Sequence, residues 1–280
     1  MTFAWLKGHG TENDFVLLPD HDGSVHGDLS PECVAAVCNR RRGIGADGVL
    51  RVIRTSAIRD MGAAAIDEAS DAEWFMDYRN ADGSFSEMCG NGIRVFARHL
   101  VAEGLVDGDA PFLIGTRDGD KQVTVDRDQV VVDMGLARRG ATSKVTAEGR
   151  TWEAHEIHTG NPHAVAFIDR LDDAGTLLTE PEYDHAMYPE GVNIEFVVHR
   201  APQHVAMRVH ERGSGETRSC GTGACAVAVA AAIVDQTARP VSYRVDVPGG
   251  TVFVTWTAED RLLLAGPAEI VARGEMEWLG

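Results

Sequence analysis

No stretch of the 280-residue sequence is long and apolar enough to span a bilayer as a helix. The longest uncharged apolar run, residues 224–234, supplies about half of the roughly 20 residues such a helix needs. Basic side chains are also scarce, 26 Lys and Arg against 43 Asp and Glu, giving a formal net charge of −17. That charge opposes nucleic acid phosphates and acidic membrane surfaces, so neither is expected as a partner. Cysteine is sparse and odd in number, five residues in all. The first residues, Met-Thr-Phe-Ala-Trp-Leu-Lys, lack the basic region, apolar core and cleavage site of a secretory signal. The expectation is a cytoplasmic protein in a reducing compartment, where a disulfide framework is a poor explanation for the thiols. Gly/Ser linkers and low-complexity tracts are absent too. With 44% hydrophobic residues the chain can build one large core or two of about 140 residues each.

The cysteines divide by setting. Cys33 and Cys38 lie in Ser30-Pro-Glu-Cys-Val-Ala-Ala-Val-Cys, a helix pattern with Ser30 as N-cap, Pro31 at its first position and Gly43 beyond its end. They read as small buried apolar residues. Cys89 and Cys220 each stand before a glycine-containing turn that opens an apolar helix, Cys89-Gly-Asn-Gly-Ile-Arg and Cys220-Gly-Thr-Gly-Ala-Cys. Their separation, 220 − 89 = 131 residues, is close to half the chain, which marks an internal repeat. Alternating apolar runs at 122–126, 130–134, 243–247 and 252–256 supply strands in both halves, joined by turns such as Pro248-Gly-Gly.

The expected fold is therefore α+β: two pseudo-symmetric domains, each a curved, mostly antiparallel sheet wrapped around a central helix. The central helices are expected over residues 90–103, stopped by Gly104 at C′, and 221–233. The polar turn Arg117-Asp-Gly-Asp-Lys places the domain crossing near Gly119. The expected domains are residues 1–118, completed by a last strand within 267–280, and 119–266.

A thiol at a helix N-terminus meets unsatisfied backbone N–H groups and the positive end of the macrodipole, both of which favour the thiolate. Two such domains facing each other with approximate two-fold symmetry would bring both thiols to one cleft and onto opposite faces of one bound carbon. The paired N-termini could receive a single carboxylate. That arrangement is what stereoinversion requires: a thiolate removes a proton from one face and a thiol returns one to the other. Donors aimed at the carboxylate offset the charge that develops as the proton leaves, each worth on the order of 3 kcal/mol.

Rival explanations fit the residues less well. A structural zinc site needs paired cysteines such as Cys-x-x-Cys, and His155 with His158 is a lone H-x-x-H pair, so no metal is expected. Gly221-Thr-Gly-Ala-Cys-Ala226 matches a loose dinucleotide fingerprint, but the polar residues 211–219 precede it where a buried parallel strand should stand. A thiol redox protein stays open, since Cys89 and Cys220 could form a disulfide if they meet at bonding distance.

Nine motifs in order make the chain resemble the diaminopimelate epimerase family over essentially its whole length. They are His9-Gly-Thr-Glu-Asn-Asp-Phe15, Arg42-Gly-Ile-Gly-Ala-Asp-Gly48, Asn80-Ala-Asp-Gly-Ser, Glu87-Met-Cys-Gly-Asn-Gly-Ile-Arg94, Gly160-Asn-Pro-His163, Val192-Asn-Ile-Glu-Phe196, Glu211-Arg-Gly-Ser-Gly-Glu216, Ser219-Cys-Gly-Thr-Gly-Ala-Cys225 and Pro248-Gly-Gly. The resemblance implies an enzyme that converts LL- to meso-diaminopimelate, in lysine and peptidoglycan-precursor synthesis, without pyridoxal phosphate or any other cofactor. It implies Cys89 and Cys220 as the catalytic acid and base. Gly90, Asn91, Gly221 and Thr222 would hold the reacting carboxylate with Asn13 beside it, and Asn80, Asn161, Asn193, Glu211 and Arg212 would hold the distal end. His163 and Glu211 would support the thiols, and the protein would be a homodimer. A same-fold racemase of another amino acid is the nearest alternative. Two departures stand out: Gly48 where many members carry a glutamine, and Glu12 where small apolar residues are usual.

Overall fold

The computed structural model describes residues 2–61 and 69–277; of the segment expected to complete the first domain, residues 278–280 lie outside the described residues. The chain forms two compact units, Met1–Val132 with Pro267–Gly280, and Asp133–Gly266.

In the first unit β1 (Thr2–Gly10) and β2 (Asn13–Pro19) form a hairpin, followed by α1 (Pro31–Cys38), β3 (Gly48–Arg54) and the short α2 (Thr55–Asp60). Then come β4 (Trp74–Asn80), α3 (Gly90–Ala102), β5 (Phe112–Gly115), β6 (Lys121–Val125) and β7 (Val130–Leu136), within which the chain leaves the unit. Strand β2 runs parallel to β3, β3 antiparallel to β4, β4 parallel to β5, and β5 antiparallel to β6.

The second unit contains β8 (Arg138–Ala147), β9 (Arg150–His158), β10 (Pro162–Phe167), β11 (Glu182–Tyr183), β12 (Asn193–Ala201) and β13 (His204–Glu211). It continues with β14 (Gly215–Thr217), α4 (Gly221–Val234), β15 (Val241–Val247), β16 (Gly250–Trp256) and β17 (Arg261–Gly266). Here β9 and β10 form the hairpin, β10 runs parallel to β12, β12 antiparallel to β13, β13 parallel to β15, and β15 antiparallel to β16. The order of pairings is that of the first unit, so the repeat seen in sequence is a repeat of topology. The last strand, β18 (Glu269–Glu277), lies antiparallel to β1, from Thr2 opposite Glu277 to His9 opposite Glu269.

The polar turn at Gly119 is not the crossing between units. Gly119, at φ +78°, exchanges backbone hydrogen bonds with Thr116 in the turn that joins β5 to β6. Its polarity belongs to a hairpin turn, and the division falls between Val132 and Asp133, inside a strand that carries no turn signal.

Each unit is built on its central helix. Ten of the thirteen residues of α3 and eleven of the fourteen of α4 are buried, the pattern of a helix enclosed on most of its circumference. Strands β1, β2, β3, β4, β6 and β18 contact α3; β9, β10, β12, β13, β15, β16 and β17 contact α4. This is the sheet-dominated α+β architecture expected. Both helices end in the same way. Gly104 at φ +67° and Gln236 at φ +53° take C′, and the N–H groups of Leu105 and Thr237 reach back to the carbonyls of Leu100 and Ala232 at 2.9 Å. These are the left-handed cap and six-to-one bond of a Schellman motif.

Candidate active site

The two cysteine half-sites occupy equivalent places in the two units. Cys89 is the N-cap of α3, and its Sγ accepts from the Gly92 N–H at 3.4 Å. Cys220 is the N-cap of α4, with Sγ accepting from the Gly223 N–H, also at 3.4 Å. A sulfur thus takes the place that a Ser or Asp oxygen fills at ordinary helix starts. Glycine at the third helical position leaves the N–H open to it.

Around Cys89, Asn13 is held by its neighbours. Its Oδ1 accepts from Asn91 Nδ2 at 3.1 Å and from the Cys89 thiol at 3.6 Å, while its Nδ2 donates to Asp47 Oδ2 at 2.8 Å. Asp47 is paired with Arg40, which also forks onto Asp14. Burial pushes Asp14 up, but its bonds to Arg40 and Lys7 outweigh that and hold the carboxyl well below the usual carboxylate range. Asn13 opens β2 directly after a two-residue hairpin in which Thr11 and Glu12 both have positive φ, +50° and +63°. This is the geometry of a type I′ turn, which usually takes Asn-Gly, so a β-branched Thr11 stores strain beside the thiol. Arg94, fully buried on α3, ties this turn down by donating to the Thr11 hydroxyl at 3.2 Å, to the Gly90 carbonyl and to the Pro267 carbonyl.

Cys220 has a different environment. Its Sγ lies 3.4 Å from the Thr222 hydroxyl, and Thr159 donates to the Thr222 carbonyl at 3.0 Å. Glu211 accepts from the Thr217 hydroxyl, and its carboxylate lies close enough to act on the Cys220 thiol electrostatically. Below them, fully buried His163 places Nδ1 2.6 Å from Glu195 Oε1 and Nε2 2.8 Å from Asn161 Oδ1. Burial pushes the Cys220 thiol well above the ordinary cysteine value, and the Glu211 and Glu195 charges push it the same way. The helix terminus and the Thr222 bond pull down but do not win. The sequence argument from the macrodipole alone therefore has the wrong sign for Cys220, because desolvation and two nearby carboxylates exceed a half-charge. Burial likewise raises Glu211, with the Thr217 hydroxyl and the Cys220 thiol opposing.

The residues expected at the distal end are spread over both units. Asn80 ends β4 in a tight turn, its Nδ2 donating to the Ser84 hydroxyl at 3.0 Å. Asn161 faces His163. Asn193 braces main chain, donating to the Pro162 carbonyl and accepting from the Arg212 N–H at 2.9 Å. The Arg212 guanidinium donates to the Glu190 carbonyl at 3.0 Å and packs over Gly191. Gly48 follows from local packing: a Cβ there would lie 2.6 Å from the Arg79 carbonyl and 2.7 Å from the Tyr78 ring. His155 and His158 sit three apart on β9 and so point to opposite faces; one packs on Phe167 and the other bonds Glu156. Cys33 and Cys38 are raised by burial to about 11 and about 12.

Sequence reasoning assigned no role to Glu195, Asp47, Thr217, Thr159 or Arg94. The first two had a signal. Each is a carboxylate inside a quoted motif, and Glu195 interrupts an apolar strand, where a charge is costly unless paired. Among the described residues no helix is long and apolar enough to cross a membrane, and no group of three or more His, Cys, Asp or Glu could hold a metal ion.

The two repeated units, each a sheet around a thiol-capped central helix, form a fold shared with solved epimerases and phenazine biosynthesis proteins. Among solved structures, a phenazine biosynthesis protein of the PhzF family from Bacillus anthracis aligns with a TM-score of 0.70 at 17% identity, over 99% of each chain. A hydroxyproline epimerase from Agrobacterium vitis, with bound trans-4-hydroxy-L-proline, aligns with a TM-score of 0.68 at 13% identity, over 98% of this chain and 92% of that one. At such identities the likeness is one of fold. The family model described as diaminopimelate epimerase matches residues 5–140 and 156–271. Proteins named diaminopimelate epimerase from Streptomyces coelicolor, Thermobifida fusca and Corynebacterium glutamicum are 53%, 47% and 42% identical. Each alignment covers 99% of this chain, and 96%, 98% and 99% of those proteins. The chain belongs to the diaminopimelate epimerase family and is an enzyme of the epimerase class.

Proposed function

We propose that the chain interconverts LL- and meso-2,6-diaminopimelate by two-base proton transfer at one α-carbon, with Cys89 and Cys220 as the acid–base pair. The observation that carries this is the placement of both thiols as N-caps of topologically equivalent helices, each sulfur taking the N–H of a glycine two residues into its helix. Family membership supports the substrate. Each helix start offers backbone donors at Gly90 and Gly221, with Asn91 and Thr222 beside them, to a carboxylate that gains charge as the α-proton leaves.

The Cys220 environment supports one choice of roles. Burial and two carboxylates keep the proton on Cys220, so it begins as the acid and Cys89 as the base for the α-proton. After transfer Cys220 is the thiolate and Cys89 carries the proton taken from the substrate, which is the starting state for the reverse direction; in this reading Glu211, beside Cys220, tunes that sulfur. Asn13 accepts from the Cys89 thiol whenever that sulfur is protonated. In this reading Asn80, Asn161, Asn193, Glu211 and Arg212 hold the second amino-acid end, with Arg212 as the carboxylate clamp. The reaction needs no pyridoxal phosphate or metal, serves lysine and peptidoglycan-precursor synthesis in the cytoplasm, and is carried out by a homodimer.

The test is solvent deuterium exchange. Reduced enzyme in deuterated water should place deuterium at an α-carbon of diaminopimelate without added cofactor, and should not do so for a panel of other amino acids. Absence of exchange would end the proposal; exchange into another amino acid would replace the substrate but keep the chemistry. Cys89→Ala and Cys220→Ala should each lower epimerisation by at least about 10²-fold, the scale of one acid–base group. Cys33→Ala should leave the rate unchanged.

A further inference from the structure

The two units provide an internal control for what lies beneath each thiol. In the first, Phe15 on β2 pairs with Gly48 on the parallel strand β3, and Leu50 lies two residues further along β3. In the second, His163 on β10 pairs with Asn193 on the parallel strand β12, and Glu195 lies two residues further along β12. Phe15 and Leu50 are therefore the topological counterparts of His163 and Glu195. All four are fully buried, with 0% exposure.

In each unit this floor meets the equivalent glycine of the central helix. A Cβ on Gly92 would contact Leu50 at 3.3 Å and Phe15 at 3.5 Å. On Gly223 it would lie 2.7 Å from Glu195 Oε1. One repeat thus floors its thiol-bearing turn with hydrocarbon, and the other with a carboxylate and an imidazole 2.6 Å apart. The framework accepts an apolar pair here, and replacing a buried ion pair by well-packed hydrophobic residues is often neutral or stabilising. Folding alone gives no reason to keep Glu195. Its Oε2 is moreover buried with no hydrogen-bond partner among the described residues, an expense that a purely structural site would shed.

We propose that Glu195 is a positioning residue for the Cys220 side of the reaction, acting through His163 and Asn161 and through its charge beneath the first turn of α4. This rests on the two-thiol reading above. Its first action is geometric: Oε1 fixes the His163 ring at Nδ1, which presents Nε2 to Asn161 and sets that amide. Its second is electrostatic. The groups facing the carboxylate are His163 on β10, Cys220 at the cap of α4, Glu211 on β13 and Tyr188 in the segment before β12; its charge opposes loss of the Cys220 proton. The first unit has no counterpart of this charge at Leu50, so the repeat yields two chemically unequal thiols from one fold.

Two variants test this. Glu195→Gln keeps size and removes charge, and the double variant His163→Phe with Glu195→Leu transplants the pair found in the first unit. For each, the pH dependence of iodoacetamide labelling at Cys220 is followed by peptide mass spectrometry, with Cys89 as internal reference. Urea unfolding and the pH profile of LL-diaminopimelate epimerisation are measured alongside. Glu195→Gln should move the Cys220 labelling midpoint down by about one pH unit, a tenfold change in proton affinity, and leave Cys89 in place. It should lower kcat at least about tenfold, raise KM as the Asn161 amide loses its brace, and displace the pH–rate profile in the same direction. The double variant should fold at least as stably, show the same labelling shift and lose more kcat. Wild-type labelling and pH profiles in both variants, with only the unfolding midpoint changed, would overturn the proposal and make Glu195 a packing residue. Should the unaltered enzyme fail to epimerise diaminopimelate, the functional reading falls, while the labelling shift still decides the role of Glu195.

Discussion

At the scale of single residues, the first unit carries a titrating group unrelated to chemistry. His99 on α3 is 2% exposed, and neither ring nitrogen has a hydrogen-bond partner among the described residues. Burial lowers it from 6.5 to about 4; Glu103 opposes, and His21 and Arg273 assist. A histidine held down in the folded state costs stability on the acid side. Above pH 6.5 neither state binds the proton and stability is intact; as pH falls toward 4 the unfolded chain takes the proton first. The loss across that window is on the order of 3 kcal/mol. Urea unfolding at about pH 7.5 and about pH 4.5 should therefore show a smaller acid loss for His99→Phe than for wild type by roughly that amount. Equal losses would show that His99 finds a partner.

Among structural elements, the ends of the central helices allow a paired comparison. A Cβ on Gly104 would meet nothing within 4 Å among the described residues, so Gly104→Ala reports backbone conformation. At φ +67° the change should cost about 1 kcal/mol. Gln236 occupies the same cap position on α4, exposed and at φ +53°, and Gln236→Gly should stabilise by up to about 1 kcal/mol. Opposite shifts in unfolding midpoint are expected from these two exchanges. The sequence shows Gly104 as a stop because glycine announces a left-handed residue. It does not show the stop after α4, because glutamine adopts that conformation only under the hydrogen bonds of the cap. The hairpin at Thr11 and Glu12 is illegible for the same reason.

At the scale of the whole molecule, the last strand decides how the first unit is completed. Strand β18 covers β1 along eight residue pairs, and Arg94 donates to the Pro267 carbonyl at its entrance. Removing residues 267–280 should expose the β1 edge and loosen the anchor of the strained turn beside Cys89. Amide exchange in β1 and α3 should then accelerate while α4 keeps its protection. Uniform protection in the truncated chain would show that β18 adds nothing to the unit.

Features that depend on near neighbours are legible along the chain: two repeats, two enclosed helices, and a cysteine before a glycine-bearing first turn in each. The sequence also showed that Asn13, Asn80, Asn161, Asn193, His163, Glu211 and Arg212 stand in family motifs. It took the folded chain to reveal that Glu195 meets His163, that Leu50 and Phe15 fill the matching floor, and that the crossing lies within β7 rather than at Gly119. The fold alone gave the sign for Cys220. Helix termini are local and can be read along the chain, whereas desolvation and charge at a buried sulfur are sums over strands far apart in sequence, fixed once the sheet has closed around the helix.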